Sequence, residues 1–161
     1  MRRKDRQLTE AHAIDAVLND ADTCHLALMD GDRPYAVALN YGWERDGGGK
    51  LTLYFHCAKE GKKLDLVDAN ANAAFVIDTG HELVTGDRPC DWSMNYRSVA
   101  GNGSVRRARD GAERAKALSL LMSHYAHGAA FAAMGDFDPK ELGATEALVL
   151  ECGEVTGKQR K

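Results

Sequence analysis

The stretch that decides the fold is residues 51–64, LTLYFHCAKEGKKL. In its first half, apolar Leu51, Leu53 and Phe55 alternate with other side chains, which is the two-residue period of a β-strand. A glycine and two lysines then open a segment in which Leu64 and Val67 lie on one helical face. The stretch therefore predicts a strand that turns directly into a helix.

The turn between this strand and this helix has the chemistry of an anion site. A helix N-terminus offers unpaired backbone N–H groups and a partial positive charge. Lys62 and Lys63 add two cations at the same place, and a phosphate binds well to such a combination. The same residues are also typical of a solvated lysine pair on an ordinary helix. The stretch alone leaves both interpretations open.

Composition limits the class of protein. The 161 residues suit one domain, 1–161, and 44% hydrophobic with 28% charged residues is typical of a soluble globular chain. A net charge of −3 argues against a nucleic-acid partner. The basic run Arg106, Arg107 and Arg109 has acidic neighbours and indicates a solvated strand end.

Targeting and metal signals are weak. No apolar run approaches the roughly 18 residues of a membrane span, and the charged start MRRKDRQLTE lacks the apolar centre of a signal peptide. We therefore expect a cytoplasmic protein that does not bind membranes. Cys24, Cys57, Cys90 and Cys152 are scattered without a CxxC pair, so we expect free thiols and no metal site.

The rest of the chain predicts about six strands and three or four helices. Short connections between the early strands indicate antiparallel hairpins, and hence a barrel or strongly curved sheet with helices packed outside. Residues 81–92 are expected to be irregular and 157–161 to form a flexible tail. Asp138-Pro139 marks either a turn or a new helix. The predicted strands are 23–29, 34–43, 51–58, 73–78, 96–108 and 145–155; the predicted helices are 9–18, 61–68 and 110–125.

Two of these strands carry small residues on one side. In the strand 34–43 they are Ala36, Ala38, Asn40 and Gly42, and the strand 96–108 contains SVAGNGSV. Small side chains allow a flat aromatic ring, a packed helix or a partner strand to approach the backbone closely. Combined with the phosphate turn, the first alternative predicts a mononucleotide with a planar ring, and FMN is the natural candidate. Neither a GxGxxG nor a P-loop motif is present.

Four segments in order, RRKDRQLT, RPYAVALNYGW, LYFHCAKEGKKLDLV and RSVAGNGSV, resemble the pyridoxamine 5'-phosphate oxidase-like, FMN-binding split-barrel superfamily. The likeness is greatest to its 5-nitroimidazole-resistance flavoproteins. It implies a mainly β fold with flanking helices, a six-stranded antiparallel split β-barrel. It also implies a homodimer with two FMN sites at the interface, each lined by both chains.

The resemblance also implies roles for individual residues. His56 and Cys57 lie beside the ribityl chain and ring, and Ser98 lines the pocket. A basic residue of the oxidase is replaced here by Asn40, and its C-terminal basic residues have no match, which argues against pyridoxamine phosphate oxidase activity. The remaining cofactor contacts are Val37, Ala38, Leu39 and Asn40 to the ring, and Lys62 and Lys63 to the phosphate.

Two functions remain open at this stage. The first is an FMN-dependent reductase that passes electrons from a nicotinamide nucleotide or another donor to a small oxidant such as a nitroaromatic, with His56 as the candidate proton donor. The second is a non-catalytic flavin- or heme-binding carrier or sensor. The histidines considered as heme ligands are His25, His56, His81, His124 and His127.

Overall fold

The computed structural model describes residues 3–126 and 137–161, in which strands and helices alternate irregularly along the chain. Two short 3-10 helices cover Lys4–Arg6 and Pro89–Asp91. The α-helices are α1 (Ala11–Asp20), α2 (Lys62–Ala69), α3 (Gly111–Tyr125) and α4 (Pro139–Ala144). The strands are β1 (Gln7–Leu8), β2 (Cys24–Asp30), β3 (Arg33–Leu39), β4 (Gly42–Arg45), β5 (Leu51–Ala58), β6 (Asn72–Val84), β7 (Ser93–Arg107) and β8 (Thr145–Arg160).

These strands form one antiparallel sheet in the order β3-β2-β6-β7-β8-β5-β4, with β1 added on β8. The two outermost strands, β3 and β4, are consecutive in the chain, so the sheet curls until its ends approach each other. β4 pairs only with the first half of β5, from Leu51 to Tyr54. The second half of β5 therefore faces the free edge of β3 across a gap, which we call the split. The predicted split barrel is confirmed, with eight described strands in place of six.

The barrel interior holds the main core, and a smaller apolar cluster lies under α3. Phe55 and Phe75 are almost completely buried inside the barrel. Tyr54, on the other side of β5, packs against Ala117 of α3 and Val149 of β8. The first half of β5 is thus covered on both sides, and only its second half can border an open site.

The predicted strand 34–43 is wrong as a single element. It breaks at Asn40 and Tyr41 into β3 and β4. The Tyr41 ring is fully buried, and its hydroxyl donates to the carbonyl oxygen of Leu18 at 2.6 Å. Because this anchor turns the chain, β3 pairs with β2 while β4 pairs with β5, so β3 and β5 are not hairpin neighbours.

The small residues divide into two groups with different uses. A Cβ on Gly101 would lie 2.6 Å from the Glu154 carbonyl oxygen, and one on Gly42 would lie 2.5 Å from the Leu120 carbonyl carbon in α3. Gly103 is equally crowded by the Glu151 backbone. These glycines serve close packing inside the protein. Ala36 and Ala38, in contrast, are exposed on the outer face of the sheet.

Two boundary predictions are also corrected, and the two alternatives at Asp138-Pro139 are resolved. β6 continues to Val84 and pairs with β7, so only the second part of residues 81–92 is irregular. The tail at 157–161 is not loose, because β8 runs to Arg160 between β1 and β7. Asp138 caps α4, as the helix alternative predicted: its side chain accepts a hydrogen bond from the Lys140 backbone N–H at 2.7 Å. No helix within the described ranges is long and apolar enough to cross a membrane.

Candidate functional site: a cavity at the barrel split

A cavity of about 220 Å³ opens where β3, the end of β5 and the start of α2 meet. β3 and β5 are far apart in the order of the sheet, but both border the split, so both contribute to this cavity. The wall includes Tyr35 of β3, Cys57 and Ala58 of β5, and Gly61, Lys62 and Lys63 at the start of α2.

The start of α2 presents free backbone donors to this cavity. Gly61 is the N-cap residue with φ 133°, a conformation that glycine adopts without strain. Its carbonyl oxygen accepts the N–H groups of Leu64 and Asp65. The two N–H groups before them have no acceptor inside the helix, and no side chain of the described residues caps this end. The predicted strand-to-helix turn is therefore present as an anion-binding geometry.

The two lysines differ in their surroundings. The Lys62 ammonium lies 2.5 Å from the Asp30 carboxylate and 5.4 Å from the centroid of the Tyr35 ring. The hydrogen bond to Asp30 raises the pKa of Lys62 above its ordinary value. Lys63 forms no ion pair with a carboxylate in the part of the chain that the structure describes. Lys63 therefore brings an unpaired ammonium group to the cavity, whose wall also includes Glu60.

Cys57 lies at the base of this cavity as a half-buried free thiol. Burial raises the pKa of Cys57, and the positive charge of Lys63 opposes that effect. The thiol is therefore neutral at physiological pH and acts as a polar, weakly donating wall.

β3 contributes mainly its backbone. Val37 and Leu39 point into the core, whereas Ala38 and Asn40 are exposed on the outer face. Since β3 pairs only with β2 among the described strands, the N–H and C=O groups of its other edge face the split. Tyr35, at the start of the same strand, supplies the side chain that reaches the cavity.

Six of the nine predicted site residues do not line this cavity: the four on β3 (Val37, Ala38, Leu39 and Asn40), His56 and Ser98. His56 is exposed on the side of β5 opposite Cys57, paired in register with Ala147. Ser98 is on the outer face of β7, opposite Lys158 of β8. β7 is three strands away from β3, roughly 14 Å at the usual strand spacing. One chain therefore unites Cys57, Lys62 and Lys63 with the β3 edge, but neither His56 nor Ser98.

Sequence reasoning missed Tyr35 and Asp30 as parts of this site. Tyr35 has the same strand parity as Val37, so the alternation of β3 does indicate its side. Asp30 has no local signal, because its contact with Lys62 depends on how the β2–β3 turn meets α2 in space. The described residues hold no cluster of three or more His, Cys, Asp or Glu side chains suited to a metal ion.

A family model described as pyridoxamine 5'-phosphate oxidase matches residues 10–159. The chain therefore belongs to the pyridoxamine 5'-phosphate oxidase family, as its sequence motifs predicted. A comparison with curated proteins gave no match.

Three solved structures share the fold. A 5-nitroimidazole antibiotic resistance protein from Bacteroides thetaiotaomicron is 26% identical with a TM-score of 0.76, over 95% of this chain and 86% of that one. An FAD and heme binding protein from Mycobacterium smegmatis is 25% identical with a TM-score of 0.82, over 97% and 74% of the two chains. The flavocytochrome Anf3 from Azotobacter vinelandii, 19% identical with a TM-score of 0.81 over 100% and 72%, shows the same fold.

Proposed function

We propose that the protein binds FMN across the barrel split and acts as an FMN-dependent reductase. The observation that carries the proposal is the convergence of an uncapped helix N-terminus, the free charge of Lys63 and an open strand edge on one cavity. The family match and the flavin-binding structural neighbours support it.

The phosphate belongs at the start of α2 in this proposal. Backbone N–H groups, Lys62 and Lys63 are the donors that a phosphate monoester requires. Cys57 then lies beside the ribityl chain. The flavin ring extends along the free edge of β3, where backbone groups of residues 37–40 hydrogen-bond its polar rim and the side chains of Val37, Ala38, Leu39 and Asn40 shape the adjacent surface.

A cavity of about 220 Å³ accommodates the phosphate end and leaves the ring outside, so the site requires a further wall. The outer face of the sheet offers one. Ala38, His25 and Val76 lie side by side on β3, β2 and β6, and Val76 is 43% exposed. We propose that a homodimer covers this face, so that Ser98 of one chain contributes to the flavin site of the other.

The chemistry proposed is electron transfer from a nicotinamide nucleotide or another donor to a small oxidant such as a nitroaromatic. The flavin, when bound, supplies the redox chemistry, and the protein positions it and excludes water. The exposed imidazole of His56 is the candidate proton donor to the reduced substrate. The nitroimidazole-resistance neighbour supports this substrate class.

The alternative is a non-catalytic flavin- or heme-binding carrier or sensor, which the FAD and heme binding neighbour favours. The histidines considered as heme ligands differ in whether another group already contacts the imidazole. His25 and His81 both lie near Asp78, at 3.8 Å and 2.8 Å. A ring nitrogen of His124 lies 2.9 Å from the Ala21 carbonyl oxygen. His56 is exposed, and His127 lies outside the described residues.

The purified protein distinguishes these functions directly. We expect a yellow protein that releases FMN on heating, identified by mass spectrometry; FAD as the main species contradicts the FMN assignment. A Soret band supports the heme alternative. Oxidation of NADH or NADPH with a nitroaromatic acceptor separates a reductase from a carrier.

Assembly is tested by sedimentation at micromolar concentration. We expect a dimer, and added FMN should raise its melting temperature because a ligand bound between two chains stabilises the assembly. The substitution Val76→Arg on the outer face should shift the protein towards monomer and weaken FMN binding together. A monomeric wild-type protein that binds FMN at full strength contradicts the two-chain site.

A further inference from the structure

The two ends of the chain carry basic residues that the proposed flavin site does not use. The sequence has RKDR at residues 3–6 and KQRK at residues 158–161, within a chain of net charge −3. β1 pairs antiparallel with β8, and Gln7 lies opposite Lys158. The fold therefore brings two basic segments from distant parts of the sequence side by side.

Close packing fixes this arrangement. Leu8 of β1 is only 8% exposed. A Cβ on Gly157 would lie 2.8 Å from the Leu8 Cβ and 3.0 Å from the Ile14 Cγ1. The contact between β1 and β8 is thus part of the core, and the basic segment that precedes β1 is held in place by it.

A cavity of about 340 Å³ lies between these segments, and its charges are unbalanced. Arg3 donates to both carboxylate oxygens of Asp5, at 2.8 Å and 2.6 Å, so these two groups neutralise each other. Arg6 is only within 4.0 Å of the same carboxylate. Arg160 and Lys161 pair with no carboxylate in the described ranges. Four cationic side chains therefore border the cavity, and its one acidic side chain, Asp5, is already paired with Arg3.

Tyr96, a neighbour of this cavity, also lies among positive charges. Tyr96 of β7 lies opposite Arg160, and the Lys158 ammonium is 5.3 Å from the centroid of its ring. Hydrogen bonding to Lys158, with a smaller effect of Arg6, lowers the pKa of the Tyr96 phenol. A positive field thus extends from the cavity onto the outer face of β8.

We propose that this cavity binds a ligand carrying two or more phosphate charges, such as a nucleoside diphosphate. Crowded cations repel each other, and a polyanion removes that repulsion. Guanidinium groups bind phosphate oxygens in a bidentate manner, and Arg6 and Arg160 offer two such groups with Lys161 as a third cation. Within one chain the site is separate from the Lys62–Lys63 cavity, because the two are lined by different residues.

Calorimetric titration with ADP at low salt, with and without saturating FMN, tests the proposal. We expect ADP to bind in both cases, and Arg6→Ala with Arg160→Ala to weaken it by about tenfold or more, as loss of charge-assisted hydrogen bonds implies. The matched control, Arg88→Ala with Lys140→Ala, removes the same charge elsewhere and should leave ADP binding unchanged. Lys161→Ala repeats the test at an exposed position if the double variant fails to fold.

Several results would overturn the proposal. The first is that the wild type does not bind ADP. The second is that the control pair loses as much ADP affinity as Arg6→Ala with Arg160→Ala. The third is that Lys62→Ala with Lys63→Ala weakens ADP binding while Arg6→Ala with Arg160→Ala does not. Inorganic phosphate should bind at least tenfold more weakly than ADP, and equal affinity contradicts a site for two phosphates. FMN titration of the same proteins is read separately, so failure of the flavin site leaves the ADP result interpretable.

Discussion

The Lys62–Lys63 turn and an arginine cluster beside α3 both concentrate positive charge, but only in the cluster does every cation lie near a carboxylate. The cluster comprises Arg106, Arg107, Arg109 and Arg114. Arg106 donates to both oxygens of Glu113, at 2.8 Å and 2.7 Å. Arg114 bonds Glu146 at 3.2 Å, in a position where that carboxylate is nearly buried. Lys63, in contrast, forms no ion pair with a carboxylate of the described residues, although Glu60 borders the same cavity.

This difference separates structural cations from cations available to a ligand. In the arginine cluster each guanidinium has a matched acid, so its role is to join α3 to β7 and β8. The basic run at Arg106 indicates a solvated strand end in the sequence, but this prediction is wrong for Arg106, whose side chain is only 28% exposed. At the lysine turn, the unpaired ammonium group of Lys63 is available to an incoming phosphate.

The largest expected effect is on flavin affinity. Lys62→Ala with Lys63→Ala should weaken FMN binding by about tenfold to a few thousandfold, because each charge-assisted hydrogen bond to phosphate contributes roughly 1.5–3 kcal/mol. Fluorescence titration measures the dissociation constant. Lys59→Ala, an exposed lysine outside the cavity wall, is the matched control and should bind normally. An unchanged constant in the double variant places the phosphate elsewhere.

Substitutions in the arginine cluster should instead change the free energy of unfolding and its dependence on pH. Arg106 lowers the pKa of Glu113 from 4.5 to about 2. A carboxylate with a depressed folded-state pKa stabilises the protein above its ordinary pKa, and this contribution disappears as the pH falls from about 4.5 towards 2. Glu113→Gln should therefore cost about 1–3 kcal/mol at pH 7 and progressively less in acid, with FMN affinity unchanged.

Urea unfolding of both proteins between pH 7 and pH 3.5 measures this effect. The stability curves should converge as the pH falls. A constant difference over that range would mean that the charge of Glu113 contributes nothing.

A smaller change in FMN affinity is expected from a substitution at Asp30. Its carboxylate forms an ion pair with the Lys62 ammonium at 2.5 Å and places a negative charge near the proposed phosphate. Asp30→Asn should release Lys62 and tighten FMN binding a few-fold, roughly the value of an exposed ion pair. Asp32→Asn, an exposed acid in the same turn, serves as control. Weaker binding in Asp30→Asn would show that Asp30 orients Lys62 for its ligand.

Local patterns predicted the elements of the site, and long-range contacts decided how they meet. The alternation in Leu51–Ala58 and the Gly61 turn were sufficient to predict β5 and α2 correctly. The break after β3 was not predictable from alternation, because it depends on the Tyr41 hydroxyl reaching the Leu18 carbonyl across the fold. The extension of β8 likewise depends on pairing with β7 on one side and with β1 on the other, and β1 is too short to signal a strand in the sequence.

The difference between FMN and riboflavin binding tests the central claim most directly, because the two ligands differ only in the phosphate. Affinities are measured for the wild type and for Lys62→Ala with Lys63→Ala. We predict that the wild type prefers FMN by at least about tenfold, and that the double variant loses most of this preference while its riboflavin affinity stays close to that of the wild type. An equal preference for FMN in both proteins would contradict a phosphate site at the start of α2.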